Sequence, residues 1–546
     1  MGSTKDASVA ENEHQIEATA GVSPNANESA IVHAVEDTTR MIDHWKCLAA
    51  CTLMSMCPFQ YGVDFGLISG LQAMPGFLKI FGYVITTDPP TYGLQTDRQQ
   101  LISSLMVLGA FLSSGFAGPT ARYIGRKMCI WSAIVLCIVA NVIMMTATNI
   151  GAMYAGRLLI GLANGMLMTY SQLYIQECAP AKYRGMMISA FQVWTSVGSL
   201  VGTIIDNFTA PIEGKNSYII PLAIIYVIPG LLFIALFLIP ESPRWLMDQG
   251  KYDQARKALH WLRPYPADVV EAEAQEIQDG LEAERALNAG VTLMDLVRSP
   301  IDRRRTLVAI GALSTQGASG AMYMIAYGTY FFEQAGVGQP FQNSCILSGV
   351  GVAVILINSA VITRIGRRRV FLTTGLTICA FSQLFTAIIY TVKPGSESAG
   401  KAIVAFGVIY IVGYNGLVSS YAWLSGGELP SQRLRSLTFG VATAVGFFMA
   451  WLATFTAPYF INPTSLNWGP KYGYIWFPSC LIAALWIYLY LPEVKNRTLE
   501  EIDEMFMAKL PARQFRHYEC VGRNMHVNEK AAAVEVENVE NGTVTE

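Results

Sequence analysis

The chain has 546 residues, 52% of them hydrophobic and only 14% charged, and 38 basic against 40 acidic side chains leave a net charge of −2. A soluble domain carries about 25% charged residues and a nucleic-acid binder presents a basic face, so both classes are excluded. All six histidines (His14, His33, His44, His260, His517 and His526) fall outside the apolar runs, which excludes a histidine metal centre within a membrane.

Residues 1–45 are polar and acid-leaning, without the basic start and apolar stretch of a cleavable signal, and are expected to form a disordered cytosolic tail. Apolar windows of about 20 residues, enough to cross a bilayer core of about 30 Å, then follow. They lie near 46–70, 100–121, 128–147, 151–175, 186–206 and 218–239, and again near 306–332, 344–365, 370–391, 402–427, 436–462 and 472–491. The fold class expected is an all-α membrane protein with twelve transmembrane helices. An N-terminal six-helix bundle covers 46–239, a cytosolic helical linker 240–305, a C-terminal six-helix bundle 306–491 and a cytosolic tail 492–546.

With both termini inside, basic residues concentrate in the inner loops, as at Arg126-Lys127 and Arg367-Arg368-Arg369, in line with the positive-inside rule. The linker shows a helical period at Tyr252, Ala255, Ala258, Leu259 and Leu262, and its carboxylate run from Glu271 to Glu284 reads as a solvated face. Cysteines such as Cys47, Cys51, Cys57, Cys379 and Cys480 lie in or beside apolar runs without zinc-like spacing and read as packing residues. No nucleophile and base pair, metal set or phosphate loop points to an enzyme or a cofactor.

Loop signatures repeat between the halves. Gly125-Arg126-Lys127 recurs as Gly366-Arg367-Arg368; Glu177, Pro180 and Arg184 recur as Glu428, Pro430 and Arg435; Pro240-Glu241 recurs as Pro492-Glu493. Two parallel six-helix repeats place a substrate near the midplane between them and favour alternating access.

Several stretches carry a resemblance in the right order. They are Gly62-Val63-Asp64-Phe65-Gly66-Leu67-Ile68-Ser69-Gly70, then Gly156-Arg157 with Gly161 and Gly165, then Pro240-Glu241-Ser242-Pro243-Arg244-Trp245-Leu246, and finally Pro492-Glu493 through Glu501. From Cys47 to Phe506 the chain resembles the sugar porter family of the major facilitator superfamily. Tyr327 to Phe332, Glu428-Leu429-Pro430-Ser431 and Asn462-Pro463-Thr464 resemble its fungal alpha-glucoside (maltose-type) permeases. The resemblance implies a sugar or similar hydroxylated compound and protons as partners, and a plasma-membrane location.

Away from the helix ends, two ionisable groups remain in the apolar runs, Asp64 and Arg157. A charge at that depth is functional or paired by default. Each lies six to eight positions from the outer face, about 9 to 12 Å at about 1.5 Å per residue, so the two can meet. The family implies that a first-helix aspartate titrates beside a fourth-helix arginine in proton-coupled members. A fixed pair that only locks the helices is the competing reading.

A sugar site needs hydrogen-bonding amides and an apolar stacking face. By resemblance Gln192 and Gln316 supply amides and Trp423 the face. Where the family places further amides, this chain has Gly317, Met322 and Gly351, which implies a roomier, less polar pocket suited to a disaccharide. Arg126, Glu177, Arg184, Arg367, Glu428 and Arg435 are expected, again by resemblance, to form cytosolic salt bridges that hold the outward-open state. Asn207 begins a glycosylation sequon in an outer loop, whereas Asn27, Asn496 and Asn541 begin sequons placed in the cytosol. Two rival functions stay open: export of a hydroxylated secondary metabolite or passage of a polyol or organic acid, and a sugar sensor that binds without transport.

Overall fold

A computed structural model describes residues 39–87, 90–288, 291–364, 366–431, 433–495, 497, 499–516 and 518. Most of both expected tails, with the sequons at Asn27, Asn496 and Asn541, lies outside the described residues.

Nine helices among the described residues are long and apolar enough to cross a membrane. Spans 1, 5 and 7 complete the twelve. Span 1 is made of Trp45–Met54 and Met56–Leu71, span 5 is Ala181–Thr209, and span 7 is made of Pro300–Ala318 and Ala321–Gln334. Spans 2, 3, 4 and 6 run over Thr96–Ile124, Arg126–Thr146, Ile150–Cys178 and Asn216–Leu238. In the second half, span 8 is Pro340–Arg364, span 9 Arg368–Val392, span 10 Glu397–Glu428, span 11 Arg435–Ile461 and span 12 Gly473–Tyr490. The loop between spans 1 and 2 also holds a short antiparallel hairpin, Tyr83–Thr87 with Pro90–Gly93; following the expected topology, its side of the bundle is called outer and the linker's side inner.

Lipid tails are as apolar as leucine, so helices associate in a membrane through close packing of small residues. Spans 1 and 5 show this directly. A methyl added at Gly62 would lie 2.0 Å from the Thr195 carbonyl oxygen, and one at Gly198 would lie 2.2 Å from that of Phe59. Spans 2 and 4 mesh in the same way, since a methyl at Gly161 would lie 2.2 Å from the Met106 carbonyl oxygen. The glycines of the first-helix and fourth-helix motifs therefore draw backbones together, and they hold Asp64 and Arg157 between them.

The two halves meet where span 1 packs on the outer part of span 7, span 2 on span 11 and span 5 on span 8. The linker helices Pro243–Asp248 and Tyr252–Leu262 pack on the inner end of the first half, and Ala267–Asn288 packs on those two. The Trp245 indole donates to the Arg122 carbonyl at 2.8 Å, and Arg263 donates to the Cys178 carbonyl at 2.9 Å. Much of the linker's acidic face is solvated, as the exposed pairs Arg256–Glu271 and Arg244–Glu284 show. Glu273 is the exception: it turns inward to pair with buried Arg263 at 2.7 Å.

Candidate functional site

The glycine-led approach of spans 1, 2 and 4 builds the first part of the site. Asp64 is 1% exposed and Arg157 2%. Arg157 Nη1 donates to Asp64 Oδ1 at 2.9 Å, its Nε donates to the Ile102 carbonyl at 3.0 Å, and Asn164 Nδ2 donates to Asp64 Oδ2 at 3.0 Å. Both carboxylate oxygens are thus satisfied from span 4, while the arginine is moored to span 2. Sequence reasoning missed Asn164. Its signal was available, because it follows Arg157 by two helical turns and so shares its face.

The second part lies where helices are irregular. Span 7 breaks at Gly320, whose φ of 77° is left-handed and whose Cβ position is blocked by the Trp476 ring. The carbonyls freed by the break are recovered from neighbours: Tyr410 donates to the Ser319 carbonyl at 3.0 Å and Ser479 to the Ala318 carbonyl at 2.8 Å. Four residues before the break, Gln316 has a buried Nε2 with no hydrogen-bond partner. Gln192 is half-buried on span 5. Trp423 is 36% exposed, its ring tilted against Phe439 with centroids 6.0 Å apart. No hydrogen bond joins these three side chains.

At two of the three positions without amides, neighbouring side chains alter the expected roomier pocket. A methyl at Gly317 would lie 2.8 Å from Met449 Cβ, and one at Gly351 would lie 2.6 Å from Asn415 Nδ2. Asn415 thus brings an amide from span 10 into the space that Gly351 vacates, from the π-helical segment Tyr414–Ser419. Such segments are frequent at functional sites. Sequence reasoning missed it because a π turn leaves no clear mark in composition.

Hydrogen bonds between the halves seal the outer side. Ser69 and Thr329 hydroxyls lie 3.4 Å apart, Thr96 meets Thr464 at 2.8 Å and Ser465 at 2.7 Å, and Asn462 donates to the Leu94 carbonyl and to Gln99, each at 2.8 Å. At the inner side, ion pairs among the described residues stay within each half. Arg126 binds Glu177 at 2.6 Å, and Ser242 donates to the same carboxylate at 2.5 Å. Glu241 accepts from the backbone N–H of Lys127 at 3.1 Å and of Ser242 at 2.9 Å. Burial pushes its carboxyl above the usual range, against the pull of those two N–H donors.

In the second half the partner of Glu428 is Arg368, at 2.8 Å, and not Arg367. Span 9 starts at Arg368 with Arg367 as its N-cap, one position later than the repeat suggests. Arg367 and Arg435 are exposed and make no ion pair among the described residues. The Arg184 side chain lies outside the described residues. Because Arg126–Glu177 and Arg368–Glu428 form while the outer side is sealed, they are not peculiar to an outward-open state. Asn207 stands half-buried inside span 5, in its last turn.

Two six-span bundles sealed to each other on one face, with a buried charge cluster in the first and the Gly320 break and a π segment in the second, define a membrane transporter of the major facilitator architecture. The chain belongs to the sugar (and other) transporter family, whose sequence model matches residues 50–506. It is 28% identical over 477 residues to the major facilitator-type transporter ecdD of Aspergillus rugulosus, covering 85% of this chain and 88% of that protein. It is 27% identical over 505 residues to the maltose permease MAL61 of Saccharomyces cerevisiae, covering 90% of this chain and 79% of that protein. To the high glucose sensor RGT2 of the same species it is 28% identical, over 82% of this chain and 59% of the sensor. Among solved structures, the inward-open conformation of the xylose transporter XylE from E. coli superposes with a TM-score of 0.70 at 17% identity, covering 84% of this chain and 99% of that one.

Proposed function

We propose that the chain is a proton-coupled importer of an alpha-glucoside or related sugar in the plasma membrane, with both termini in the cytosol. The observation that carries this reading is the buried cluster of Asp64, Arg157 and Asn164. With Asp64 ionised, its charge is balanced by Arg157 and its second oxygen by the Asn164 amide. A proton on Asp64 cancels the attraction and removes one acceptor, while Arg157 keeps its hold on the Ile102 carbonyl. Span 1 is thereby loosened from span 4, and the same helix carries Ser69 to the outer seam with Thr329. Protonation and the outer seal thus act through one rigid element, which is the differential interaction that a two-state change requires.

For the substrate, Gln192, Gln316 and Asn415 supply amides and Trp423 the stacking face. The unpaired Nε2 of Gln316 supports this, because a buried donor without a partner is costly unless a ligand completes it. When the inner side closes, exposed Arg367 and Arg435 become the bridging groups between the halves, and the pairs at Glu177 and Glu428 position them.

The likeness to the maltose permease supports the substrate class. A second reading, export of a bulkier hydroxylated compound, rests on Gly317 and Met322 standing where amides are expected. Uptake of labelled maltose, glucose and myo-inositol into transporter-null yeast, with the pH of the medium recorded, separates them. Maltose accumulation with alkalinisation supports import by symport. Absence of uptake together with efflux from preloaded cells overturns it.

A further inference from the structure

Span 5 carries an acid that the mechanism above does not use. Asp206 lies three residues before the end of that helix, is 1% exposed, and neither carboxylate oxygen has a hydrogen-bond partner. The carboxylate fills the space beside Gly70 of span 1, where an added methyl would lie 2.2 Å from its Oδ2. One turn earlier on span 5, the Thr203 carbonyl accepts from Cys345 of span 8 at 3.2 Å. Ser69, next to Gly70, reaches Thr329, which in turn meets Ser344 of span 8 at 2.8 Å. Asp206 is therefore enclosed in the seam between the halves, at its outer end.

Among the described residues no cation in that seam offsets a negative charge, and only the Gly70 backbone N–H pulls towards the ionised form. The titratable groups on the elements packed against span 5 include Tyr61 and Asp64 on span 1, Arg157 on span 4, Tyr218 on span 6 and Cys345 on span 8. Of these, Cys345 interacts with Asp206 electrostatically, and it carries no positive charge. Arg157 is taken up by Asp64. Glu213 and Lys215, beyond the helix end, are exposed. An ionised carboxylate removed from water without a cation is disfavoured far more than the neutral acid, and a single backbone N–H does not make up the difference.

We propose that Asp206 is a second proton-binding site of this transporter, placed at the outer seam. One proton joins the carboxylate as the outer side closes and returns to the outer medium as it opens, with no change elsewhere in charge or bonding. Acid outside then favours the outer-closed state through Asp206 whether or not Asp64 is protonated. The inference goes beyond the coupling role of Asp64 and does not depend on the substrate.

The test reads conformation rather than transport, so its failure is distinct from failure of the symport reading. Spin labels are placed at Lys215→Cys and Lys471→Cys, on the outer loops of the two halves, in full-length protein that also carries Asp64→Asn, with Cys345 and Cys520 replaced by alanine. Distances are measured by pulsed electron paramagnetic resonance from about pH 5 to about pH 8, a range that brackets ordinary and buried carboxyl groups. With Asp206 present, the ratio of short to long distances is expected to rise on acidification, by up to about tenfold per pH unit. In Asp206→Asn and Asp206→Ala the short distance should dominate at every pH, and Asp206→Glu should keep the dependence, which covers failure of one variant to fold. The same pH dependence in the Asn and Ala variants, a flat response with Asp206 present, or a response to sodium at constant pH instead of to protons would overturn the proposal.

Discussion

The inner ends of the two halves are near copies, whereas their membrane centres are not. At the inner ends, Arg126 with Glu177 and Arg368 with Glu428 form matching ion pairs. Glu241 and Glu493 likewise each accept backbone N–H groups from the start of the neighbouring span. At mid-membrane the first half holds Asp64, Arg157 and Asn164, while spans 7 to 12 carry no charged residue between their ends. There the second half has its irregularities: the left-handed break at Gly320 and the π segment Tyr414–Ser419. The duplicated parts are those that each bundle needs to hold its own inner end. The divergent parts place buried charge in the first half and a left-handed break and a π segment in the second, although spans 1 and 6 of the first half are interrupted as well.

The largest effects should come from the charge cluster. Arg157→Ala leaves Asp64 buried and unpaired, a loss of about 3 to 5 kcal/mol, and should abolish both accumulation and exchange and lower the melting temperature of the purified protein. Asp64→Asn should behave differently: it removes concentrative uptake while binding and downhill exchange persist, because Asn mimics the neutral acid. Proteoliposome uptake with and without a proton gradient checks both. Concentrative uptake by Asp64→Asn would show that the pair is only structural.

The inner copies give the next test. Arg368→Ala breaks charge-assisted bonds to a partly buried carboxylate, worth about 1.5 to 3 kcal/mol, and should lower thermal stability about as much as Arg126→Ala. Arg367→Ala should leave stability unchanged and reduce transport rate alone. Equal destabilisation by Arg367→Ala would restore the pairing that the sequence repeat suggests.

Bending in the second half is tested at Gly320. Alanine there must adopt a left-handed conformation at about 1 to 2 kcal/mol and meets the Trp476 ring at 2.7 Å. Slower transport with little change in substrate affinity is expected from counterflow measurements. The smallest effect concerns the amides, one from each half. Gln192→Ala and Gln316→Ala should each weaken binding by about 0.5 to 1.5 kcal/mol, several-fold in affinity. A loss confined to one of them, read by equilibrium binding, would place the substrate on one half only.

Acquisition of the cluster's meaning from sequence was partial for a physical reason. An isolated charge in a long apolar run stands out because a bilayer penalises it, so Asp64 and Arg157 were legible. Asn164 and Asn415 were not, since a neutral amide in such a run carries little penalty and no fixed partner. Asp206 was obscured by the helix boundary: the apolar window near 186–206 ends at it, whereas the helix continues to Thr209 and buries it against Gly70.

The sequence by itself determined the twelve spans, their division into two repeats, the helical linker between them and the depth match of Asp64 with Arg157. Each of these follows from hydropathy and residue spacing along a single helix, which depend on local order in the chain. Tertiary structure alone decided that Arg368 and not Arg367 meets Glu428, that Asn415 fills the space at Gly351, that the outer side is sealed, and that Asp206 lies within the seal. Those outcomes depend on which helix faces touch, and contacts between residues far apart in the chain are set by backbone packing at glycines and by helix register, to which composition and period are blind.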